Sequence, residues 1–170
     1  MKYVFKRIEK KDFLEILKLR NQLKVRNASL NKKKISIKEH YFYYKLNFKK
    51  KFFYAYKLLY KKKIIGIATG LKIGKSKKYI RWSIYKDFKV KTPFKIGSLL
   101  LFNLIEKLFS KRDIKFLRCE VLKNNKLIKK WYIKWGCKIN KKYKNKKFYV
   151  LDLERNTWQK LRKEIKNTIK

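Results

Sequence analysis

A chain of 170 residues with 45% hydrophobic and 16% aromatic side chains is long enough to bury one core without disulfide or metal staples, and too apolar to be disordered. The formal charge of +41, from 52 Lys and Arg against 11 Asp and Glu, sets up a field that attracts anions, nucleic acid included. The lysines are spread through nearly every segment, as an AT-rich coding bias would spread them, so the charge by itself assigns no partner. Cys119 and Cys137, with His40 as the one histidine, form no zinc ligand set and suit a reducing cytoplasm.

Tyr3 to Ile8 reads as a first strand, after which Asp12 is placed to cap a helix bearing Phe13, Ile16, Leu17 and Leu19 at helical spacing. Ser36-Ile37-Lys38-Glu39 has the capping-box pattern, so a second helix is predicted over Ile37 to Leu46. Phe52 to Tyr60 and Lys63 to Leu71 form a hairpin about a lysine-rich turn. Tyr79 to Tyr85 is a further strand, and a loop runs from Lys86 to Lys95. A strongly apolar helix follows from Gly97 to about Lys111. Phe116 to Leu122 is a strand, Asn125 to Trp135 a helix stopped by Gly136, and Phe148 to Leu153 a last strand. Thr157 to Lys170 reads as a basic helical tail. The N-terminus, Met1 to Lys6, lacks the apolar run of a signal peptide, and Ile96 to Ile105 is too short to span a bilayer. Neither a linker nor a repeat is evident, so the expectation is one domain over 1–155 with a tail over 156–170. Strands alternating with helices in the second half imply a partly parallel, mixed sheet.

Two units carry chemistry. In the first, the amides of Lys95, Ile96, Gly97 and Ser98 open a helix, where orphan N–H groups and the macrodipole make an anion site, and Gly97 permits close approach. The plainer alternative is that Gly97 only begins a core helix. The second unit runs from Cys119-Glu120-Val121-Leu122 through Asn125 and a helix with Trp131, Tyr132 and Trp135 to Gly136-Cys137. It is either a functional segment or an ordinary strand-helix unit with an aromatic core stripe.

Together these units resemble the GNAT superfamily of N-acetyltransferases from about Phe5 to Leu153. The family's pyrophosphate motif, Arg/Gln-x-x-Gly-x-Gly/Ala, is matched at Thr92 to Gly97 only by the last glycine. Its later motif, Asn…Tyr-x-x-x-Gly-Phe, is matched by Asn125, Tyr132 and Gly136, with Cys137 in place of Phe, and Asn124 competes with Asn125 if one residue is inserted. Within the superfamily the chain is similar to the amino-sugar N-acetyltransferases of the pseudaminic-acid pathway, through Leu19-Arg20-Asn21, Val25-Arg26, Ile37 to His40, Trp82 to Tyr85 and Cys119 to Leu122.

The resemblance implies an α/β fold of three layers, with a mixed sheet of six to seven strands and helices on both faces. It implies acetyl-CoA as co-substrate and direct transfer of the acetyl group to a primary amine, that of a nucleotide-linked amino-sugar. Ile84 and Tyr85 would offer backbone groups to pantetheine, and Lys95, Ile96, Gly97, Ser98 and Asn125 would complete the cofactor site. Tyr132 is the candidate acid for the departing thiolate, or a ring packed on the sheet. Glu120 is the candidate base, or the partner of a basic side chain. Arg20, Asn21 and His40 are candidates for the acceptor pocket, though Arg20 also suits an exposed helix position and His40 a structural role. No metal is implied. Alternatives are a ribosomal-protein or other protein N-terminal acetyltransferase, a CoA-binding relative without activity, and a basic RNA-binding module.

Overall fold

The computed structural model describes residues 3–75 and 78–169. Met1 and Lys2, and Lys170 at the end of the expected tail, lie outside the described residues. The elements are β1 (Tyr3–Arg7), a 3-10 turn (Lys10–Asp12), α1 (Phe13–Arg20), α2 (Leu23–Asn27), α3 (Ile37–Phe48), β2 (Phe53–Tyr60), β3 (Lys63–Lys72), β4 (Tyr79–Lys86), α4 (Ile96–Phe109), β5 (Phe116–Leu122), α5 (Lys126–Lys134), β6 (Lys138–Ile139), β7 (Phe148–Glu154) and α6 (Arg155–Ile169). The strands form one mixed sheet of seven in the order β1-β2-β3-β4-β5-β7-β6. Every pairing is antiparallel except that of β4 with β5.

Local chemistry explains most boundaries. Ser36 Oγ accepts from the Glu39 amide, and Glu39 Oε2 accepts from the Ser36 amide at 2.7 Å, so the predicted capping box opens α3. Helix α5 ends as expected at Gly136 (φ 89°), with the Cys137 amide donating to the Tyr132 carbonyl and the Gly136 amide to Ile133. That is the left-handed stop which favours glycine. Asp12 departs from expectation. Its carboxylate makes no cap to α1. One oxygen accepts from the Glu9 amide, and both accept from the buried Lys57 ammonium at 2.6 Å. A buried cation must have a close counter-charge, and Lys57 takes the carboxylate that the sequence pattern assigns to the helix.

Two apolar clusters sandwich the sheet. The smaller one joins Phe13, Ile16 and Leu19 of α1 and Tyr44 of α3 to Ala55 and Ile67. The larger one gathers α4, α5 and α6. Two glycines on β3 set how closely α4 lies. A Cβ built at Gly66 would meet Leu100 Cδ1 at 2.5 Å, and one at Gly70 would meet Leu108 Cδ1 at 3.1 Å. Residues four apart on a strand share a face, so the pair forms a shallow trough for the helix.

The segment expected as a tail from 156 is integral to this layer. Trp158, Ile165 and Ile169 of α6 belong to the larger core, and Trp158 Nε1 donates to Glu106 of α4 at 2.6 Å. Arg155 donates to the carbonyls of Phe109, Lys111 and Ile114, where α4 ends. An arginine there satisfies the carbonyls that a helix end leaves orphaned.

Candidate active site

The site arises from an incomplete pairing. Strands β4 and β5 are in register only at Tyr79–Arg81 against Phe116–Arg118. Beyond that base they part. Trp82 to Lys86 stay paired to β3 on one side, and Cys119 to Leu122 to β7 on the other. The facing edges therefore carry backbone N–H and C=O groups without strand partners. Such edges accept an extended amide ligand as an added strand would be accepted. A cavity of about 520 Å³ fills the fork. It lies at the carboxyl ends of two parallel strands, where open α/β sheets bind ligands.

Alternation along the strands gives the cavity two faces. On the face of α4 and α5 it is lined by Trp82 and Ile84 of β4, Cys119 and Val121 of β5, Gly97 and Leu100 of α4, and Asn125, Trp131 and Tyr132 from the start and body of α5. On the opposite face it is lined by Arg81, Ser83 and Tyr85 of β4, Glu120 of β5, Thr69 of β3, Tyr43 of α3 and Arg20 of α1.

Helix α4 opens at the mouth. Its first internal bond runs from the Leu99 amide to the Lys95 carbonyl, so the amides of Ile96, Gly97 and Ser98 precede any helical acceptor. Lys95 is the N-cap and its side chain makes no cap bond. A Cβ at Gly97 would meet only Trp131 Cη2, at 3.8 Å, so the missing methyl leaves the cavity wall open. The side chains of Ile96 and Ser98 are buried and Lys95 is exposed. Neither they nor Lys95 line the cavity, so what this turn offers a ligand is its amides. Asn125 caps α5, its Oδ1 accepting from the Ile128 amide at 3.3 Å.

Tyr132 packs edge-on against Trp82, with ring centroids 4.8 Å apart. Burial raises its phenol well above the ordinary tyrosine pKa. Burial likewise raises the Cys119 thiol in the same wall, and pushes Cys137 up to about 12. Trp82 Nε1 is a buried donor without a protein acceptor, a costly arrangement that an incoming oxygen would relieve. On the other face Arg20 donates through Nη2 to the Asn31 carbonyl, and its Nη1 is buried without a partner. Glu120, 23% exposed, has Arg81 Nη1 at 3.8 Å. Tyr85 hydrogen-bonds Tyr44, and its phenol too is raised by burial.

Of the residues singled out from sequence, Tyr132, Glu120, Ile84, Tyr85, Gly97, Asn125 and Arg20 converge on the cavity. Asn21 and His40 do not. Both ends of the Asn21 amide are held by the Ile35 backbone, at 2.8 and 2.9 Å, which ties α1 to the loop before α3. His40 is buried beside Phe13 and Tyr44, and desolvation lowers its pKa. Both therefore brace the α1 and α3 layer outside the cavity lining. Sequence reading did not single out Arg81 and Ser83 as site residues, nor Tyr43, and it gave Trp131 only as part of an aromatic stripe. The signal for the first two was present: Arg81, Ser83 and Tyr85 alternate with Ile80, Trp82 and Ile84, which marks a strand with two functional faces. Among the described residues no group of His, Cys, Asp or Glu is placed to hold a metal, and no helix is long and apolar enough to cross a membrane.

No protein-family profile and no curated protein matches the chain. Solved structures do. An N-acetyltransferase from Staphylococcus aureus Mu50 aligns with a TM-score of 0.75 at 19% identity, over 91% of this chain and 99% of that one. The Campylobacter jejuni N-acetyltransferase PseH in complex with acetyl coenzyme A gives 0.67 at 20% identity, over 91% and 99%. FdhC, described as a nucleotide-linked sugar GNAT, gives 0.77 at 18% identity, over 99% and 95%. The chain thus has the mixed α/β fold of the GNAT N-acetyltransferases.

Proposed function

We propose that this chain is an N-acetyltransferase that moves an acetyl group from acetyl-CoA to the primary amine of a nucleotide-linked amino-sugar. The carrying observation is the fork between β4 and β5, with unpaired backbone edges along its walls and the amides of α4 at its mouth. The solved structure of PseH with acetyl coenzyme A and the description of FdhC support the choice of donor and of acceptor class.

The residues fit the donor. The free edge of Trp82 to Lys86 suits the two amides of a pantetheine arm, and the open flank of Gly97 admits a pyrophosphate to the α4 amides. Acetyl-CoA supplies an acyl group activated as a thioester. Backbone N–H groups of β4 and the orphan Trp82 Nε1 provide donors for the oxygen on which negative charge develops. Glu120, on the acceptor face, takes the proton of the attacking amine nitrogen, directly or through water. As the new C–N bond forms and the C–S bond breaks, Tyr132 donates its phenolic proton to the leaving sulfur. A phenol raised by burial remains a competent acid here. Raised by burial, Tyr132 holds its proton until the thiolate forms beside it. Holding the amine, base and acid on two faces of one fork supplies the orientation.

Calorimetry with acetyl-CoA tests the reading at its root: stoichiometric binding is expected, and its absence removes every acetyltransferase assignment. A thiol-release assay over UDP-linked amino-sugars, peptides and polyamines then tests the acceptor. Turnover confined to peptides would overturn the sugar assignment. Steeply salt-dependent RNA binding without acetyl-CoA affinity would identify a nucleic-acid module instead.

A further inference from the structure

The acceptor face of the cavity opens into a second groove of about 470 Å³, a size that suits a small ligand. Arg81 and Glu120 line both spaces, so the two meet at that ion pair. The far wall is the segment between β6 and β7, which brings Lys142, Tyr143 and Lys144 to the groove.

That segment is built, not loose. Asn140 Nδ2 donates to Asp152 at 2.7 Å, and Asn140 Oδ1 accepts from the Lys142 amide at 3.0 Å. Asn145 Oδ1 accepts from the amides of Lys147 and Phe148. The Tyr143 ring lies 4.4 Å from the Arg118 guanidinium, which also sits 5.0 Å from the Tyr79 ring. Side-chain caps and a cation–π contact thus fix the backbone that carries the two lysines.

The charges do not cancel. Arg118 is matched by the bidentate carboxylate of Asp152, and Arg81 faces Glu120. Among the described residues Lys142 and Lys144 have no carboxylate within ion-pair distance. A high lysine content makes a basic surface commonplace in this chain. What distinguishes this one is that Arg81, half-exposed and only loosely paired with Glu120 at 3.8 Å, reaches it opposite the exposed Tyr143 ring, the equipment for planar phosphate and base recognition.

We propose that this groove binds the diphosphate of a nucleoside diphosphate carried by the acceptor, with Arg81, Lys142 and Lys144 on the phosphates and Tyr143 beside the base, so that the amine reaches Glu120. The placement of the amine rests on the acetyltransferase reading; the affinity of the groove for the nucleotide does not.

The test is calorimetric titration of the full chain with UDP at about 0.15 M salt, where the general field is screened beyond a Debye length of about 8 Å. Stoichiometric binding is expected. The double variant Lys142→Ala, Lys144→Ala should lose at least about tenfold in affinity for UDP, and keep its affinity for acetyl-CoA, because two charge-assisted contacts are removed far from α4. The control Lys160→Ala, Lys163→Ala, two exposed lysines of α6, should stay within about twofold. An equal loss in the control, displacement of UDP by saturating CoA, or no UDP binding would each overturn the proposal. If acetyl-CoA fails to bind while UDP binds through Lys142 and Lys144, the catalytic reading falls and the groove stands.

Discussion

The two ends of the β4–β5 pair behave as opposites. At the base, Tyr79–Arg81 and Phe116–Arg118 are paired, Tyr79 stacks on Phe116 at 4.8 Å, and Arg118 is clamped to Asp152 at 2.7 and 2.8 Å. At the mouth, a few residues further on, the strands share no register, a tryptophan N–H lacks a partner, and phenol and thiol groups are desolvated in the wall. The contrast teaches a division of labour. Satisfied polar groups at the base hold the fork rigid, so that unsatisfied ones at the mouth keep their positions for a ligand.

That comparison is broken most severely at its base. Asp152→Ala leaves the Arg118 guanidinium without its carboxylate in a mostly buried setting, and should cost about 3–5 kcal/mol of unfolding free energy in a denaturant titration. A loss below about 1 kcal/mol would show that the clamp is ornamental. At the mouth the effect should move from stability to rate. Tyr132→Phe keeps the ring against Trp82 but removes the proton donor, so kcat should fall by about 10²-fold or more while acetyl-CoA affinity and thermal midpoint hold. Unchanged turnover would remove Tyr132 as the acid.

Gly97→Ala sharpens the contrast within a single residue. Only Trp131 stands near the added methyl, and alanine favours a helix over glycine by roughly 1 kcal/mol. The variant should therefore melt higher yet bind acetyl-CoA about tenfold more weakly, by calorimetry, since the methyl intrudes on the α4 amides. Loss of both, or of neither, would contradict a functional glycine. The smallest effect concerns alkali. Cys119, Cys137 and Tyr132 all have pKa values raised by burial, so the unfolded chain releases their protons at lower pH than the native one. Their contribution to stability is complete below the ordinary thiol pKa, and is lost as pH climbs from there through the native values. Melting curves from pH 7 to 10 should decline, and the slope should flatten in Cys119→Ala, Cys137→Ala.

Much of the framework was legible because its causes are local. The capping box at Ser36, the stop at Gly136, the lysine-rich turn between β2 and β3 and the alternation along β4 each fix an element from neighbouring residues. What stayed hidden depends on distant partners. Helix α2 spans five residues and its N-cap makes no side-chain bond, so no sequence pattern announces it. Strand β6 has two residues and exists because β7 lies beside it. Asp12 resembles a cap until Lys57, 45 positions away, claims it. The same division runs through the site. Gly97, Asn125 and Tyr132 were singled out by their likeness to the GNAT motifs, and all three line the cavity. The alternation along β4 signalled the face that carries Arg81, but its place opposite Glu120, like that of Tyr43 against β4, is set only by the fold. Asn21 and His40 stand outside the cavity lining, and a polar residue beside a pocket and one inside its scaffolding look alike in one dimension.

The trough formed by Gly66 and Gly70 reaches further than packing. Leu100 and Leu108 rest where two methyl groups are missing, so the depth of that trough sets the height at which α4 crosses the sheet, and with it the aim of the amides at its first turn. The leucine seat thus works as a levelling screw for the first turn of α4, and Leu100 itself lines the cavity on which that turn opens. Variation at positions 66 and 70 should therefore retune binding at that turn by tilting an otherwise intact helix.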